Sequence, residues 1–481
     1  MPPRRHAKRK KKVSARRVLI VLALLAVIAI VVGAVILIVN GIGKAVGNSD
    51  NKTTTTTGPK APAVVSTATV GSSGDVLIHN GVRASAYQNG VYDFNYCFEN
   101  LAPYLKKADY SVVNIEFSVA TGTKYSSLPF RVPPEVVTAL SKTGYKLGVT
   151  ANNHIADGGV AGMKKTMETL TAEGMDFTGS RLNTADKRYL IKDINGIKIG
   201  FLNYSYGSYW NTNCFSNTNL PAFYADAEAL IKEMRTEGAQ LIYLYIHWGQ
   251  EYTLIPNENQ TAIAKKMCEL GVDLIIGGHP HKIEPIELIT DEATGNTTIC
   301  LYSSGNLLSG QQIECMAGGT KANSPNCFQD SWHFAGCDYP DVADRSKDTH
   351  RLEHGTNCND NGHTEDGVIF YATATRYEDG TVMLTGVDVV PVWCMGRGMI
   401  RAAYPTNTLF EKYVALPLEK GKDWKTAFGL SDAEATEAGY SYDRTMKLLG
   451  DGIAKANAHC QKQRDDYVAK FKQAQLTTQA Q

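Results

Sequence analysis

The chain predicts an α/β fold of parallel strands joined by crossover helices, carried behind one N-terminal membrane-spanning helix. Residues 18–39 are a continuous apolar run without a single charge. From residue 67 onward, short β-prone runs alternate with stretches of helical spacing, the alternation that parallel strands and their connections require. Five of those strands end on ligand-type side chains, and in an open parallel sheet the carboxyl ends share one edge, where ligands bind.

The N-terminus comes first. Arg4, Arg5, Lys8, Arg9, Lys10, Lys11, Lys12, Arg16 and Arg17 crowd the first seventeen positions without one acid. The apolar run behind them is long enough to cross a hydrocarbon layer of about 30 Å as a helix. Cations mark the cytoplasmic side, so residues 1–17 are expected inside and everything after Asn40 outside, an extracellular domain on a single-pass cell-membrane anchor. A cleavable secretory signal is the rival, but the run exceeds an ordinary signal core and lacks a convincing small-x-small site. Residues 40–66 hold five consecutive threonines, Thr53 to Thr57, with Gly58, Pro59 and Pro62, a spacer that lifts the folded part off the membrane. The whole chain carries a formal net charge of +1; without the basic tail it is mildly acidic, which argues against nucleic acid as a partner.

The folded region, 67–395, repeats one grammar. Residues 67–78 place Asp75 behind Gly74, with His79 just beyond. Residues 110–116 end on Asn114 and Glu116, and residues 145–154 on Asn152, Asn153 and His154, with Asp157 following. Residues 241–251 end on His247 and Glu251. Residues 272–276 stop at Gly277 and Gly278 and deliver His279 and His281 into a loop. Between them lie three helical patterns, 160–173, 225–237 and 257–270; the first shares Met163, Met167 and Leu170 on one face. Residues 196–204 read as a hairpin partner, 298–306 as another buried strand, and 367–375 with 381–392 as strands across the Glu378-Asp379-Gly380 turn.

Residues 309–366 break the pattern. They are rich in Gly, Asn, Asp and Ser and hold Cys315, Cys327, Cys337 and Cys358. Ten cysteines in an exported domain favour disulfides, so this stretch reads as an insertion stapled by its own bridges, in one of three pairings. A structural zinc site using His333, His350, His354 and His363 is the alternative, without any compact CxxC spacing to support it. Residues 396–481 read as a mostly helical extension, with two helices over 433–473.

The gathered strand ends would place Asp75, Glu116, Asn153, His154, His247, His279 and His281 in one cleft. That mixed nitrogen and oxygen set suits Mn, Zn or Fe better than Mg or Ca, as one divalent ion or two. His154 can instead donate a proton to a leaving group, with Asp157 orienting its ring. Taken singly each residue has an ordinary reading: Asp75 and Asn152-Asn153 as turn residues, a strand-end histidine as a structural one. Trp248 and Tyr252 read as rim packing, or as a surface on which a polymer stacks.

The motifs Gly74-Asp75-Val76-Leu77, Asn114-Ile115-Glu116, Phe130-Arg131-Val132-Pro133-Pro134, Ala151-Asn152-Asn153-His154 with Asp157 and Gly159, His247-Trp248-Gly249 with Glu251, Gly278-His279-Pro280-His281 and Tyr302-Ser303-Ser304-Gly305-Asn306 together resemble the capsule-synthesis CapA family of bacteria, also called poly-gamma-glutamate synthesis proteins. The resemblance covers about residues 65–310 and implies a calcineurin-like metallophosphoesterase-type αββα sandwich with a metal site at the strand ends. It further implies membrane attachment and a role in making, exporting or anchoring an anionic cell-surface polymer, beside capsule synthase or export membrane proteins. On it, Asp75, Glu116, Asn153, His247, His279 and His281 are the expected metal ligands, His154 and Asp157 the catalytic pair, and Arg131, Trp248, Glu251 and Asn306 the substrate-facing residues. The chain departs from the phosphoesterase pattern twice: His79 comes four residues after Asp75 where those enzymes carry Asp-x-His, and Asn114-Ile115-Glu116 stands in place of Gly-Asp-x-x-Asp. A metal-dependent hydrolase of a phosphoester or amide bond, and a non-catalytic polymer-binding or assembly factor, are both compatible with these residues.

Overall fold

Strands with nearly continuous apolar sequences are buried on both faces. Tyr110–Ile115 and Leu241–His247 have no exposed position, as parallel strands covered by helices on one side and a second sheet on the other must. The computed structural model describes residues 59–311, 364–396 and 413–479, and within them most strands form two large mixed sheets, beside the two-stranded pairs Tyr87–Gln88 with Val91–Tyr92 and Ser118–Val119 with Arg131–Val132. The first runs in the order Tyr413–Pro417, Val382–Gly396, Asp366–Tyr377, Val64–Val76, Tyr110–Ile115, Leu147–Val149, Asp176–Thr178, with Asn306–Leu308 also paired to Val64–Val76. The second runs Cys214–Phe215, Ile197–Tyr206, Leu241–His247, Leu274–Gly278, Thr297–Ser304, Ile283–Thr290, with Tyr189–Ile194 hairpinned onto Ile197–Tyr206.

The sheets pack face to face through a core that takes Val70, Val112, Leu147 and Phe370 from one and Phe201, Tyr243, Leu274 and Ile276 from the other. Glu135–Thr143 covers the outer face of the first sheet with Val136, Val137 and Leu140. Leu220–Thr236 and Glu258–Glu269 cover that of the second with Phe223, Ile231, Ile263 and Met267. The result is a helix, sheet, sheet, helix stack, the layering that the family resemblance implied, whereas the strand and helix alternation alone pointed only to parallel strands with crossover helices. The last of those helices begins where the chain can satisfy its free amides: Asn257 accepts from Gln260 N at 3.0 Å and Gln260 Oε1 accepts from Asn257 N at 2.8 Å, a reciprocal cap.

Two expectations change at the C-terminal end. Asp432–Gln479 is one 48-residue helix rather than two. It contains no proline, and at Gly452 it makes a close contact, since a Cβ there would fall 2.4 Å from Ile286 O. The helix buries Leu449, Ala456 and Cys460 in the inter-sheet core. The boundary at 395 also cuts a sheet, because Tyr413–Pro417 pairs with Val382–Gly396.

Among the described residues no helix is long and apolar enough to cross a membrane; the expected span, 18–39, lies outside them, as do Cys315, Cys327, Cys337 and Cys358. The six described cysteines, Cys97, Cys214, Cys268, Cys300, Cys394 and Cys460, are free thiols, against the general expectation of bridging. Five of them are buried, where they pack as small apolar side chains.

Candidate metal centre

Register brings the predicted residues into rows. Asp75 pairs with Asn114 on the neighbouring strand and His247 with Gly278 on the other sheet. Gly74 is required beside Asp75, since a Cβ would meet Gly305 O at 1.9 Å. The Asp75 amide donates to that same carbonyl at 3.0 Å. At Gly278 a Cβ would stand 2.7 Å from Asp75 Oδ1 and 3.5 Å from His247 Nδ1, so the glycine leaves room for the cluster itself. His279 and His281 both hold left-handed backbone, φ 95 and 58, a costly conformation for a side chain-bearing residue that is typically kept at functional sites.

The side chains converge. Asn114 Nδ2 donates to Asp75 Oδ1 at 2.8 Å and to Glu116 Oε2 at 3.3 Å. The His279 amide donates to Asp75 Oδ2 at 3.1 Å, and His281 Nδ1 lies 3.4 Å from the same oxygen. His247 Nε2 is 2.9 Å from Asn153 Oδ1 and 3.4 Å from Glu116 Oε1. His281 Nε2 is 3.9 Å from Glu116 Oε1 and 3.7 Å from Glu251 Oε1. Two ligand groups result, Asp75 with Glu116 and His247, and Glu116 with His279 and His281; within each, the donor atoms lie within 4.8 Å of one another and all are buried. Glu116 belongs to both.

The electrostatics match a cation's requirements. Burial raises a carboxyl, but the His281 hydrogen bond and the fields of His247 and His281 bring Asp75 down to about 2. Glu116 goes the other way, held well above the carboxylate range by burial and by the Asp75 charge. Burial drives His247 down to about 3 and His279 well below its ordinary value, which keeps both imidazoles neutral with a lone pair to offer. His281, although buried, is pushed up by Glu116, Asp75 and Glu251. Glu116 Oε1 and His279 Nδ1 are buried with no hydrogen-bond partner among the described residues. Buried polar atoms without partners are costly, and these two are the atoms a divalent ion would take.

His154 stands apart from this cluster as part of a separate pair. Its Nδ1 is 2.9 Å from Asp157 Oδ2, which also accepts the Phe130 amide at 2.5 Å. The Phe130 ring packs edge-on against both His154 and His79, at centroid distances of 4.8 and 4.9 Å. Of the motif around it, Phe130 touches the site, whereas Arg131 is exposed and donates to Ser126 Oγ at 3.1 Å. Trp248 corrects the expectation of a substrate-facing ring: it is 1% exposed, and its indole N–H donates to Tyr302 O at 2.9 Å. Asn306 is likewise buried, with Oδ1 3.2 Å from His281 Nδ1 and its amide donating to Gln311 Oε1 and Thr364 O; it holds His281 in place. Glu251 retains some exposure and faces His281.

Three residues that build the cleft carried no distinct signal. Asn152, rather than Asn153, knits the two loops, donating to Asn114 Oδ1 at 3.1 Å and Ile115 O at 2.7 Å and accepting from the His154 amide. Asn203 spans the sheets, accepting from Ala151 N at 2.7 Å and donating to Tyr245 O at 3.0 Å. Tyr206 lays its ring 4.8 Å from that of His279. Tyr206 ends a strand just as the predicted ligands do, and Asn203 lies three positions before that end; position along the strand was the only available clue.

Comparison with known proteins places this cluster in a family. The profile of bacterial capsule synthesis protein PGA_cap matches residues 69–311. Over 243 residues the chain is 30% identical to the PGA biosynthesis protein CapA of Bacillus subtilis (strain 168), covering 49% of this chain and 61% of that one. Over 249 residues it is 26% identical to the capsule biosynthesis protein CapA of Bacillus anthracis, covering 49% and 58%. The chain thus spans about three fifths of the length of these curated relatives. Among solved structures, a hypothetical protein from Thermus thermophilus has a TM-score of 0.36 at 12% identity, covering 67% of this chain and 98% of that one, too loose a likeness to carry an argument. Every residue of the buried cluster, from Asp75 to His281, lies inside the matched segment, and the chain belongs to the bacterial capsule synthesis protein PGA_cap family.

Proposed function

We propose that this is a membrane-anchored, extracellular CapA-like protein with a metallophosphoesterase-type fold, acting as a metal-dependent hydrolase of a phosphoester or amide bond in the biosynthesis of an anionic surface polymer of the poly-gamma-glutamate type. The observation that carries the reading is Glu116, a buried carboxylate common to both ligand groups with an oxygen left unbonded. Asp75, Asn153 and His247 would hold one divalent ion with Glu116, and His279 and His281 a second. Bound there, Mn, Zn or Fe supplies Lewis acidity toward a phosphoryl or carbonyl oxygen and acidifies water. The anchor rests on residues 18–39 and the basic tail before them. Capsule synthase or export membrane proteins are the partners this placement suggests.

The chain's own residues divide the remaining work. Asn114 fixes the two carboxylates relative to each other, and the His279 amide holds Asp75. His154, oriented by Asp157, donates a proton from Nε2 to the departing oxygen or nitrogen. This pair favours a hydrolase over a purely polymer-binding factor, because holding an anion requires no oriented acid. The test combines two substitutions in the full-length protein. Glu116→Gln should remove metal at both positions together, read by elemental analysis. His154→Gln should leave metal content intact while lowering hydrolysis of a phosphodiester or γ-glutamyl substrate by about 10²–10⁴-fold. Wild-type protein that holds no metal, or a Glu116→Gln variant that loses none, refutes the reading.

A further inference from the structure

Against the cluster, between the two sheets, lies a small cavity. Ser73, Asp75 and Asn114 close it from the first sheet, and His247, Gly278 and Ser304 from the second. All six are buried. The space open to the centre of a water-sized sphere is about 20 Å³, and one water needs roughly 10–15 Å³ by that measure together with two to four polar partners.

The wall supplies those partners unevenly. Asn114 Nδ2 commits its two hydrogens to Asp75 Oδ1 at 2.8 Å and Glu116 Oε2 at 3.3 Å, and Ser304 Oγ donates to Gly277 O at 3.0 Å. His247 Nδ1 is served worst. Its hydrogen-bonding neighbour among the described residues is the same Asn114 amide, 3.5 Å away, too long a contact and too committed elsewhere to satisfy it. The point where a Gly278 Cβ would stand has Asp75 Oδ1, His247 Nδ1 and Asn114 Nδ2 as its nearest atoms. The missing side chain therefore opens the wall onto an acceptor and onto this nitrogen together.

The other ring nitrogen decides what Nδ1 needs. Nε2 lies 2.9 Å from Asn153 Oδ1, an oxygen that can only accept, so Nε2 carries the proton and Nδ1 a lone pair. Using Nε2 as a metal ligand reverses this: Nε2 offers its lone pair, the ring stays neutral, and a proton resides at Nδ1. An amide N–H cannot accept that proton. A water molecule can, and it can equally donate to the lone pair in the first state.

We propose that this cavity holds one structural water, bonded to Asp75 Oδ1 and His247 Nδ1, which donates to the imidazole in the ion-free protein and accepts from it once Nε2 is a ligand. The change of tautomer rests on the metal reading above; the water itself does not.

The test is a crystal structure of the full-length protein with and without zinc, paired with nitrogen NMR spectra of histidine-labelled protein in which His247 is assigned by its loss in His247→Gln. One ordered water between Asp75 and His247 is expected in both structures, with a His247 proton that moves from Nε2 to Nδ1 on loading. Val149 is an apolar part of the same wall. Val149→Ile should displace the water and lower zinc affinity about 10- to 100-fold with the circular dichroism spectrum unchanged, whereas Val149→Ala should keep both. A cavity without water density, zinc bound through Nδ1, or undiminished zinc affinity in a Val149→Ile protein that has lost the water overturns the inference. Wild-type protein that takes up no zinc removes the metal reading instead, and the density in the cavity then decides the water alone.

Discussion

Glu284 gives a prediction whose size follows from its surroundings. It is buried on the strand that leaves His281, accepting from Gln260 Nε2 at 2.7 Å and bonded to Thr253 Oγ1 at 3.2 Å. Burial outweighs both bonds and raises its carboxyl to about 8 from an ordinary 4.5. Between those values the folded protein keeps a proton that the unfolded chain has released, so stability falls as pH rises through that window. At 1.36 kcal/mol per pH unit, the loss by about pH 8.5 is about 4 kcal/mol. Glu284→Gln keeps the shape and both partners but has no proton to lose. Its unfolding free energy should match wild type near pH 5 and exceed it by about 4 kcal/mol near pH 8.5. Urea denaturation at the two pH values, followed by circular dichroism, measures both. Parallel pH dependence in the two proteins would show that Glu284 is already ionised, and the reasoning would fail. Gln260 also lies against Gly249, where a Cβ would be 2.7 Å from the amide, so this neutral acid helps set the loop that carries Glu251.

Two other substitutions probe the frame of the site. Gly278→Ala would put a methyl 2.7 Å from Asp75 Oδ1, and metal affinity by competition with a chelator should fall roughly 10- to 100-fold with little change in the circular dichroism spectrum. Arg444→Met would strip the guanidinium from Asp366, which it grips at 2.8 and 2.7 Å, and from Glu365 at 3.3 Å. Leaving buried carboxylates without their cation should cost about 3–5 kcal/mol in a denaturant titration, and a variant as stable as wild type refutes that account.

The alternation of strands and helices and the gathering of Asp75, Glu116, His247, His279 and His281 were legible because each is governed by a local rule, whereas the two-sheet layering was legible only through the family resemblance. Apolar runs of strand length alternate with helical spacing, and parallel strands end on one edge. The period of a strand goes further than the residue types do. Asn114 and Glu116 are two apart and reach the same cleft, whereas Trp248, one past His247, must leave on the opposite side, and it joins the helix-covered core. What the strand period does not govern was illegible. In the 151–157 loop nothing local distinguishes Asn152, which ties loops together, from Asn153, which faces His247. The same holds for Gly452, whose role is set by a strand more than a hundred and fifty positions earlier, and for Tyr413–Pro417, whose pairing depends on a distant edge.

The two buried carboxylate clusters of this chain make a contrast that bears on function. At the first, Asp366 has both oxygens bonded, by Arg444 and by the Ser441 hydroxyl at 2.6 Å, and the C-terminal helix brings the counter-charge. At the second, an asparagine bonds both Asp75 and Glu116, the His279 backbone amide bonds Asp75, and the His247 and His281 imidazoles lie 3.4 Å from Glu116 and Asp75. Burial keeps His247 and His279 neutral, while the surrounding carboxylates push His281 up. There the chain also accepts two histidines in left-handed backbone and two buried polar atoms without partners among the described residues. Each such feature costs on the order of 1–3 kcal/mol, against a net stability of roughly 5–15 kcal/mol for a folded domain. The unbonded Glu116 oxygen, the neutral His279 imidazole and the depressed Asp75 together suit a divalent cation, so the buried cluster could hold one.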